Sequence, residues 1–282
     1  MSVPSGVTNA MGKDEPAPGV GVPDVRGGYD TYISSGLYDR RYPRPNRRTL
    51  RKSLRCLREG GQFLDFGAGT GRYTLPLMEL TRASGVAYDV CPAACRVMAE
   101  RLRAFVGDGR LVIRNGDLAA LVETHARAFD LALLTFGVLG HVAGRKQRLR
   151  LLGTVREMLK PDGVLILGLP NARRRFRAEQ RSAASLVRAG ELEPGDVLYT
   201  RGGGADEIRL FYHLFSPSEA RHDLSAAGFR IESIEPESLL PESVVVGKPL
   251  LGRLDDLACR FVPAAGGYGF LIVSKPLLPG AP

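Results

Sequence analysis

Short apolar runs alternate with segments of helical apolar spacing through the middle of the chain. A short apolar run bounded by turn or charged residues is typical of a buried strand, whereas apolar residues three or four positions apart predict a helix. Strands and helices in alternation predict βαβ units and a parallel sheet. The pattern predicts strands at 63–65, 85–89, 111–114, 129–134 and 163–168, and helices at 92–105, 118–127 and 145–159.

The last third of the chain contains a strongly signalled helix start. Ser216 and Glu219 form a capping-box pattern, Pro217 suits a first helical turn, and Gly228 suits a helix end. Further apolar runs follow this helix and complete the predicted sheet. The predicted late elements are a helix at 217–227 and strands at 231–234 and 269–273.

The first predicted strand leads into a glycine-rich turn. Its apolar residues end at Asp65, and glycines follow at positions 67, 69 and 71 before a helical segment. A strand, a tight turn and a helix in this order form a nucleotide-type cofactor site at the carboxyl end of a parallel strand. The dinucleotide pattern G-x-G-x-x-G needs its third glycine at position 72, which is Arg here. The loop therefore favours a ligand that approaches bare backbone over one that needs a pyrophosphate site.

The resulting pattern, D-x-G-x-G-x-G, resembles that of class I S-adenosylmethionine (AdoMet) methyltransferases, and the resemblance covers residues 61–170. It implies an α/β fold with a Rossmann-like, seven-stranded, mostly parallel sheet, helices on both faces and an antiparallel last strand. It also implies AdoMet as the cofactor and methyl transfer as the activity. AdoMet carries no phosphate, which agrees with the register of the glycines.

The resemblance assigns cofactor contacts by position. Asp65 and the glycine loop would hold the methionine end, Asp89 the ribose, and Asp117 the adenine amino group. Asp117 has an alternative role, since Asp is a favoured N-cap and a helix is predicted to begin at the next residue. Val90 departs from the family pattern, because many members place a small polar residue soon after the ribose acid. The implied cofactor residues are Asp65, Gly67, Ala68, Gly69, Gly71, Asp89, Val90, Asp117, Leu118 and Phe136.

The chain is predicted to form one domain with a leading tail. Residues 1–28 are rich in Gly, Pro and Val without periodicity, which predicts a disordered tail. Residues 29–282 are predicted to form a single methyltransferase domain that begins with a loop and helix over the cofactor edge. A long insertion between a strand and a helix is usually functional, so we expect it to form a lid over the substrate. The predicted parts are the cofactor half 61–170, the lid 171–216 and the closing helix and strands 217–276.

Residues 208–215 end the insertion and predict a strand. Alternation places Arg209 and His213 on one face and Tyr212 on the other, and it leaves open which face meets the substrate. On the first face, Arg209 would bind a carboxylate or phosphate, and His213 would act as a general base or as a hydrogen-bonded structural residue. On the second face, Tyr212 would contact the substrate. His141, after the fourth strand, is a second catalytic candidate, and a purely structural role is its alternative.

Composition narrows the possible partners. The net charge is +9, but 33 of the 39 basic residues are Arg, the other six being Lys. This skew, with abundant Ala and Gly, weakens the charge as evidence for an anionic partner. The four cysteines form no CxxC pair, which predicts structural thiols in a reducing cytoplasm and no metal site. No apolar run reaches about 18 residues, which argues against a membrane span.

Three functions fit the sequence. The first is AdoMet-dependent methyl transfer to an O, N or C nucleophile of a small metabolite or biosynthetic intermediate. The second is RNA methylation, favoured by the basic run at 173–181 and by the likeness of 208–229 to methyltransferases that esterify carboxymethyluridine at the tRNA wobble position. The third is a nucleotide-binding Rossmann protein without methyl transfer. Because the methyl group of AdoMet is already activated, a general base is needed only for an acceptor that is protonated at neutral pH.

Overall fold

The computed structural model of the protein describes residues 24–202 and 207–277. Most of the predicted disordered tail, residues 1–23, lies outside this range. Helix α1, Val25–Ser34, begins inside the predicted tail. The tail prediction is too long at this end because α1 is anchored by buried residues such as Tyr32, whereas the prediction rested on the Gly- and Pro-rich stretch before it.

The strands of the described chain build one large sheet and one hairpin. They are β1 (Gln62–Phe66), β2 (Ser84–Asp89), β3 (Leu111–Asn115), β4 (Phe129–Leu134), β5 (Leu159–Pro170), β6 (Asp196–Arg201), β7 (Ile208–His213), β8 (Phe229–Ser238) and β9 (Gly269–Pro276). The large sheet has seven strands in the order β3-β2-β1-β4-β5-β9-β8. Its first five strands are parallel, and β9 runs antiparallel to both β5 and β8. The predicted α/β fold, with a mostly parallel sheet and an antiparallel last strand, is confirmed.

Helices flank the sheet, and most lie where the periodicity predicts them. They are α1, α2 (Leu37–Arg41), α3 (Arg47–Cys56), α4 (Thr74–Leu80), α5 (Pro92–Arg101), α6 (Arg103–Gly107), α7 (Leu118–His125), α8 (Arg145–Met158), α9 (Arg177–Arg188), α10 (Pro217–Ala226), α11 (Glu242–Gly247) and α12 (Pro249–Ala258). The predicted helix 92–105 is two helices, because the backbone leaves the helical region at Leu102. None of the helices in the described ranges is long and apolar enough to cross a bilayer.

Both faces of the sheet are buried, as the nearly continuous apolar strands require. Along strand β4, successive side chains point to opposite faces of the sheet. Ala132 and Leu134 pack in a cluster with α7, α8 and α10, whereas Leu131 and Leu133 pack in a second cluster with α4 and α5. The sheet is therefore the rigid middle layer of the domain, and its strand ends provide fixed positions for a site.

The insertion between β5 and α10 folds as helix α9 and the hairpin β6–β7. The predicted strand at 208–215 is present as β7, which pairs antiparallel with β6 from Asp196↔His213 to Arg201↔Ile208. Strand β6 is not apparent from the sequence, because its apolar residues are few and it is fixed by pairing with β7. A third apolar cluster joins this hairpin to α1 and α2 through tyrosines.

The strand order creates a crevice at one edge of the sheet. From β1 the chain runs outward to β2 and β3, and it then returns to β4 on the other side of β1. Ligands bind at such a switch point, outside the carboxyl ends of the strands. Helices α1 and α2 lie over this crevice, and Tyr29, Ile33 and Tyr38 line it.

Candidate active site

A cavity of about 460 Å³ lies at the carboxyl ends of β1, β2 and β4. Small-molecule sites have volumes of roughly 300–1,000 Å³, so this cavity is of the right size for a cofactor. Eight residues that the sequence singles out line it: Asp65, Gly67, Ala68, Gly69, Asp89, Val90, Phe136 and His141.

The glycine loop forms the floor of the cavity. Gly67, Gly69 and Gly71 all have positive φ values, of 74°, 56° and 82°, in a region that glycine adopts most readily. A Cβ at Gly67 would lie 2.5 Å from a methyl group of Val138, so no side chain fits at this position. Gly71 differs, because a Cβ there would lie 2.9 Å from the Leu102 side chain and the residue is not part of the cavity lining. The structure thus gives Gly71 a packing role.

Asp65, at the end of β1, is a buried carboxyl group with one side-chain partner. Its Oδ2 accepts a hydrogen bond from the Thr74 hydroxyl at 2.6 Å. Burial raises the pKa of Asp65 to about 6. A cationic group placed beside it in the cavity would favour the ionised form.

Asp89, at the end of β2, is oriented by backbone. Its Oδ2 accepts from the Gly69 N–H at 2.7 Å, and its Oδ1 accepts from the Cys91 N–H at 2.9 Å. A carboxylate has about four acceptor positions, so two remain for ligand hydroxyls. The neighbouring Val90 is 44% exposed and also lines the cavity.

The predicted adenine contacts lie beside the cavity. The Asp117 carboxylate accepts a hydrogen bond from the Ala120 N–H and caps α7, which is the alternative that its sequence position allows. Leu118 is the first residue of α7 and packs against the core. Gly116 lines the cavity, whereas neither Asp117 nor Leu118 does. Their contact with adenine stays a prediction.

His141 faces the cavity and is paired with Tyr29. Its Nδ1 lies 3.1 Å from the Phe211 carbonyl oxygen, which only accepts, so Nδ1 carries the proton. Its Nε2 then accepts from the Tyr29 hydroxyl at 2.9 Å. Burial lowers the pKa of His141 to about 4. The ring is therefore neutral at physiological pH, with one acceptor nitrogen directed to Tyr29.

Phe136, just after β4, lies between the cavity and the rings behind it. Its φ of 60° is in the left-handed region, and such strain in a non-glycine residue often marks functional sites. Its ring centroid lies 4.6 Å from that of Tyr42 and 4.2 Å from the guanidinium carbon of Arg72. Arg72 also lines the cavity.

The structure does not bring His213 or Arg209 to the cavity. The predicted alternation along β7 is present, but the face that carries these two residues points away. Arg209 is exposed to solvent. His213 is buried, with Nδ1 2.6 Å from Asp196 and Nε2 2.7 Å from Glu219. Burial alone would lower the pKa of His213, but the hydrogen bonds to the two carboxylates outweigh it and raise the pKa, so the ring is a charged structural link.

Tyr212 lies on the other face of β7, behind the cavity wall. Its ring stacks on His141 with a centroid distance of 4.5 Å, and its hydroxyl donates to the Phe136 carbonyl oxygen at 3.4 Å. The guanidinium carbon of Arg175 lies 5.4 Å from the same ring. A substrate contact by Tyr212 stays a prediction.

Three polar side chains among the other cavity-lining residues matter for the site and are absent from the sequence-based set. Tyr29 and Tyr38 come from the leading helices, and Arg72 follows the last loop glycine. Arg72 did leave a signal, because it stands where a dinucleotide loop has glycine. The sequence does not indicate that Tyr29 and Tyr38 line the cavity, because their position over the sheet depends on how α1 and α2 pack.

Comparison with known proteins agrees with this architecture. A family model described as a methyltransferase domain matches residues 38–234. The release factor glutamine methyltransferase of Rhodospirillum rubrum is 37% identical over 92 residues, which are 32% of this chain and 27% of that protein. The chain thus spans about a quarter of the length of this curated relative.

Solved structures share the fold at low sequence identity. A SAM-dependent methyltransferase from Methanosarcina mazei is 21% identical, with a TM-score of 0.61, over 80% of this chain and 97% of that chain. The CcbJ methyltransferase of Streptomyces caelestis is 16% identical, with a TM-score of 0.58, over 83% and 91%. The [4+2]-cyclase SpnF is also 16% identical, with a TM-score of 0.55, over 93% and 99%.

The seven-stranded sheet, the glycine loop and the cavity above it define a class I methyltransferase architecture. Because the family match covers well over half of the chain, the protein belongs to the class I AdoMet-dependent methyltransferases.

Proposed function

We propose that the protein transfers a methyl group from AdoMet to a small organic acceptor that enters beside the ring-lined wall of the cavity. The observation that carries this proposal is the cavity on which the glycine loop, Asp65, Asp89 and the Tyr29–His141 pair converge. Helices α1 and α2 cover this cavity, which suits a small acceptor.

The residues present fit AdoMet. Gly67 and Gly69 line the cavity without side chains and would admit the methionine end, Asp65 offers a carboxylate for its ammonium group, and Asp89 offers acceptor positions for the ribose. When bound, AdoMet supplies a methyl group that its positive sulfonium has already activated. The protein must then orient the acceptor in line with that methyl group and exclude water.

The Tyr29–His141 pair lines the cavity and is the candidate group to remove a proton from the acceptor. Because burial lowers the pKa of His141 to about 4, the ring is a weak base, so it suits an acceptor whose proton becomes acidic as the methyl group is transferred. Because the Tyr29 hydroxyl donates to His141 Nε2, its oxygen is free to accept a proton from an acceptor hydroxyl or amine. The original tyrosine proton then passes to Nε2, and the Phe211 carbonyl holds the ring through Nδ1. An acceptor that is already ionised would need no such step.

The acceptor pool is identified by isotope transfer. Purified protein is incubated with AdoMet that carries a trideuterated methyl group, with a small-molecule extract and with a tRNA fraction in parallel. Mass spectrometry should find a trideuteromethyl product in the small-molecule extract. Label found only in tRNA would contradict a small acceptor, and bound AdoMet without label in either pool would contradict methyl transfer.

RNA is the second candidate acceptor, and one observation favours it. Arg173, Arg174, Arg177 and Arg181 are exposed near the start of α9, so they form a basic surface on the insertion. A phosphate backbone would bind such a surface with a steep dependence on salt.

A further inference from the structure

We propose that Arg72 binds the methionine carboxylate of AdoMet, an inference that rests on the proposed cofactor. Arg72 immediately follows the loop glycines and lines the cavity. Its side chain is only 5% exposed. A guanidinium buried to this degree needs acceptors for its N–H groups, because an unmet buried donor is costly.

The protein itself leaves the Arg72 guanidinium incompletely paired. Its Nη1 lies 3.4 Å from both the Arg44 carbonyl oxygen and Glu242 Oε1. These contacts are long, since charge-assisted hydrogen bonds usually measure about 2.7–2.9 Å. Its Nη2 is buried without a hydrogen-bond partner among the residues that the structure describes. An anionic oxygen in the cavity would supply the missing hydrogen-bond acceptor for the Arg72 guanidinium.

The neighbourhood of Arg72 matches an amino acid zwitterion. Asp65 and Arg72 both line the cavity, and the positive charge of Arg72 opposes the rise that burial gives the pKa of Asp65. A cation and an anion set side by side would pair with the carboxylate and the ammonium of the methionine end. The adenosine part of AdoMet carries no acid, so the methionine carboxylate is the anionic group that Arg72 would meet.

Aromatic rings hold the guanidinium in position. Its central carbon lies 4.2 Å from the Phe136 ring centroid and 5.0 Å from that of Tyr73. Such cation–π contacts restrict the side chain before a ligand arrives. Because Arg presents a planar fork to a carboxylate, a fixed guanidinium gives more orientation than a flexible lysine would.

The test compares ligands that differ in the carboxylate. Calorimetry measures the dissociation constants of AdoMet, decarboxylated AdoMet and 5′-methylthioadenosine for the wild type, Arg72→Met, Arg72→Lys and Arg101→Met. We expect the wild type to bind AdoMet roughly 10- to 100-fold more tightly than decarboxylated AdoMet, as for a hydrogen-bonded charge pair. Arg72→Met should lose most of this preference and should bind 5′-methylthioadenosine, which has no amino acid end, as the wild type does. Arg101 donates to the Thr70 carbonyl oxygen from outside the loop, so Arg101→Met is the matched control and should keep the preference.

Two results would overturn the role of Arg72. One is a wild type that binds AdoMet and decarboxylated AdoMet equally, and the other is an Arg72→Met protein that keeps the wild-type preference. If Arg72→Met does not fold, the Arg72→Lys variant provides the test. Lysine lacks the planar guanidinium, so this variant should prefer AdoMet over decarboxylated AdoMet at least about fivefold less than the wild type does. A wild type that binds none of the three ligands would instead refute the cofactor assignment itself.

Discussion

Burial controls the protonation of the residues that line the cavity. Asp65 has its pKa raised to about 6, and His141 has its pKa lowered to about 4. In both cases the neutral form is favoured, because removing water penalises charge. A bound cation would reverse this effect at Asp65, whereas His141 remains a neutral acceptor for the Tyr29 hydroxyl.

AdoMet affinity should therefore depend on pH through Asp65. Below about pH 6 the carboxyl group is protonated and no longer pairs with an ammonium group, so binding requires loss of the proton. We expect the affinity to rise about tenfold from pH 5 to pH 7. Calorimetry across this range measures the effect, and Asp65→Asn should bind weakly with little pH dependence. A flat wild-type profile would show that Asp65 does not pair with the cofactor.

Removing His141 should slow catalysis without preventing cofactor binding. For an acceptor with a hydroxyl or an amine, His141→Gln should lower kcat by about 100-fold or more, the usual size of a general-base contribution. Tyr29→Phe should act in the same direction, because it breaks the same proton path. AdoMet affinity should change by less than about threefold. A normal kcat in both variants would remove this pair from the chemistry.

Site residues differ in how far the sequence could predict them. Asp65, Gly67, Gly69 and Asp89 lie at or just after the carboxyl ends of strands, so their place at the sheet edge follows from strand order alone. Arg72 follows the loop in sequence, yet its role depends on which groups of the folded protein leave Nη2 unpaired. Local patterns predict residues on strand ends, and they say little about side chains that are positioned by packing.

At the scale of elements, the hairpin β6–β7 shows the same limit. Alternation along β7 correctly separated His213 from Tyr212, but the face that meets the cavity is decided by α1 and α10, which pack on opposite sides of the hairpin. His213 links β6 to α10 through Asp196 and Glu219. We interpret these contacts as an ion-pair link between the insertion and the closing helix.

Loss of the ion-pair link through His213 should destabilise the protein in a pH-dependent way. Because the folded state raises the pKa of His213, its contribution is complete below the unfolded pKa of about 6.5 and is lost as the pH rises through the folded value. His213→Gln removes the cation that lies between the buried Asp196 carboxylate and the partly buried Glu219 carboxylate, at a cost of about 3 kcal/mol. At pH 6 this should lower Tm by roughly 6–12 °C, and by less at pH 9.

The control for this substitution lies on α10, the helix that His213 contacts through Glu219. His222 is exposed on α10, so His222→Gln should leave Tm nearly unchanged at both pH values. Circular dichroism on heating measures all three proteins. Equal Tm values for wild type and His213→Gln at pH 6 would contradict the proposed link.

At the scale of the whole molecule, the small size of the cavity and the net charge of +9 point to different acceptors. The dependence of turnover on salt distinguishes a small acceptor from RNA. Turnover of a small neutral acceptor should change less than about twofold between roughly 50 and 200 mM salt, whereas binding to RNA through several phosphates would weaken by orders of magnitude. Steady-state kinetics in increasing KCl provides the measurement, and a steep loss of kcat/KM would favour RNA.

The large sheet was the most predictable level of the structure. Apolar runs in the sequence predicted its seven strands, because strands that are buried on both faces are almost continuously apolar. The strand β6 and the helices α1 and α9 left weaker signals, because each is held by contacts with distant segments. Periodicity thus predicts the layer that carries the site, and tertiary packing decides what covers it.

The glycine loop and its two acids should bind AdoMet and not a dinucleotide. Calorimetric titration of the wild-type protein with AdoMet and, separately, with NAD measures this difference. We expect one AdoMet site per chain and no binding of NAD. Binding of NAD with no heat from AdoMet would contradict this expectation.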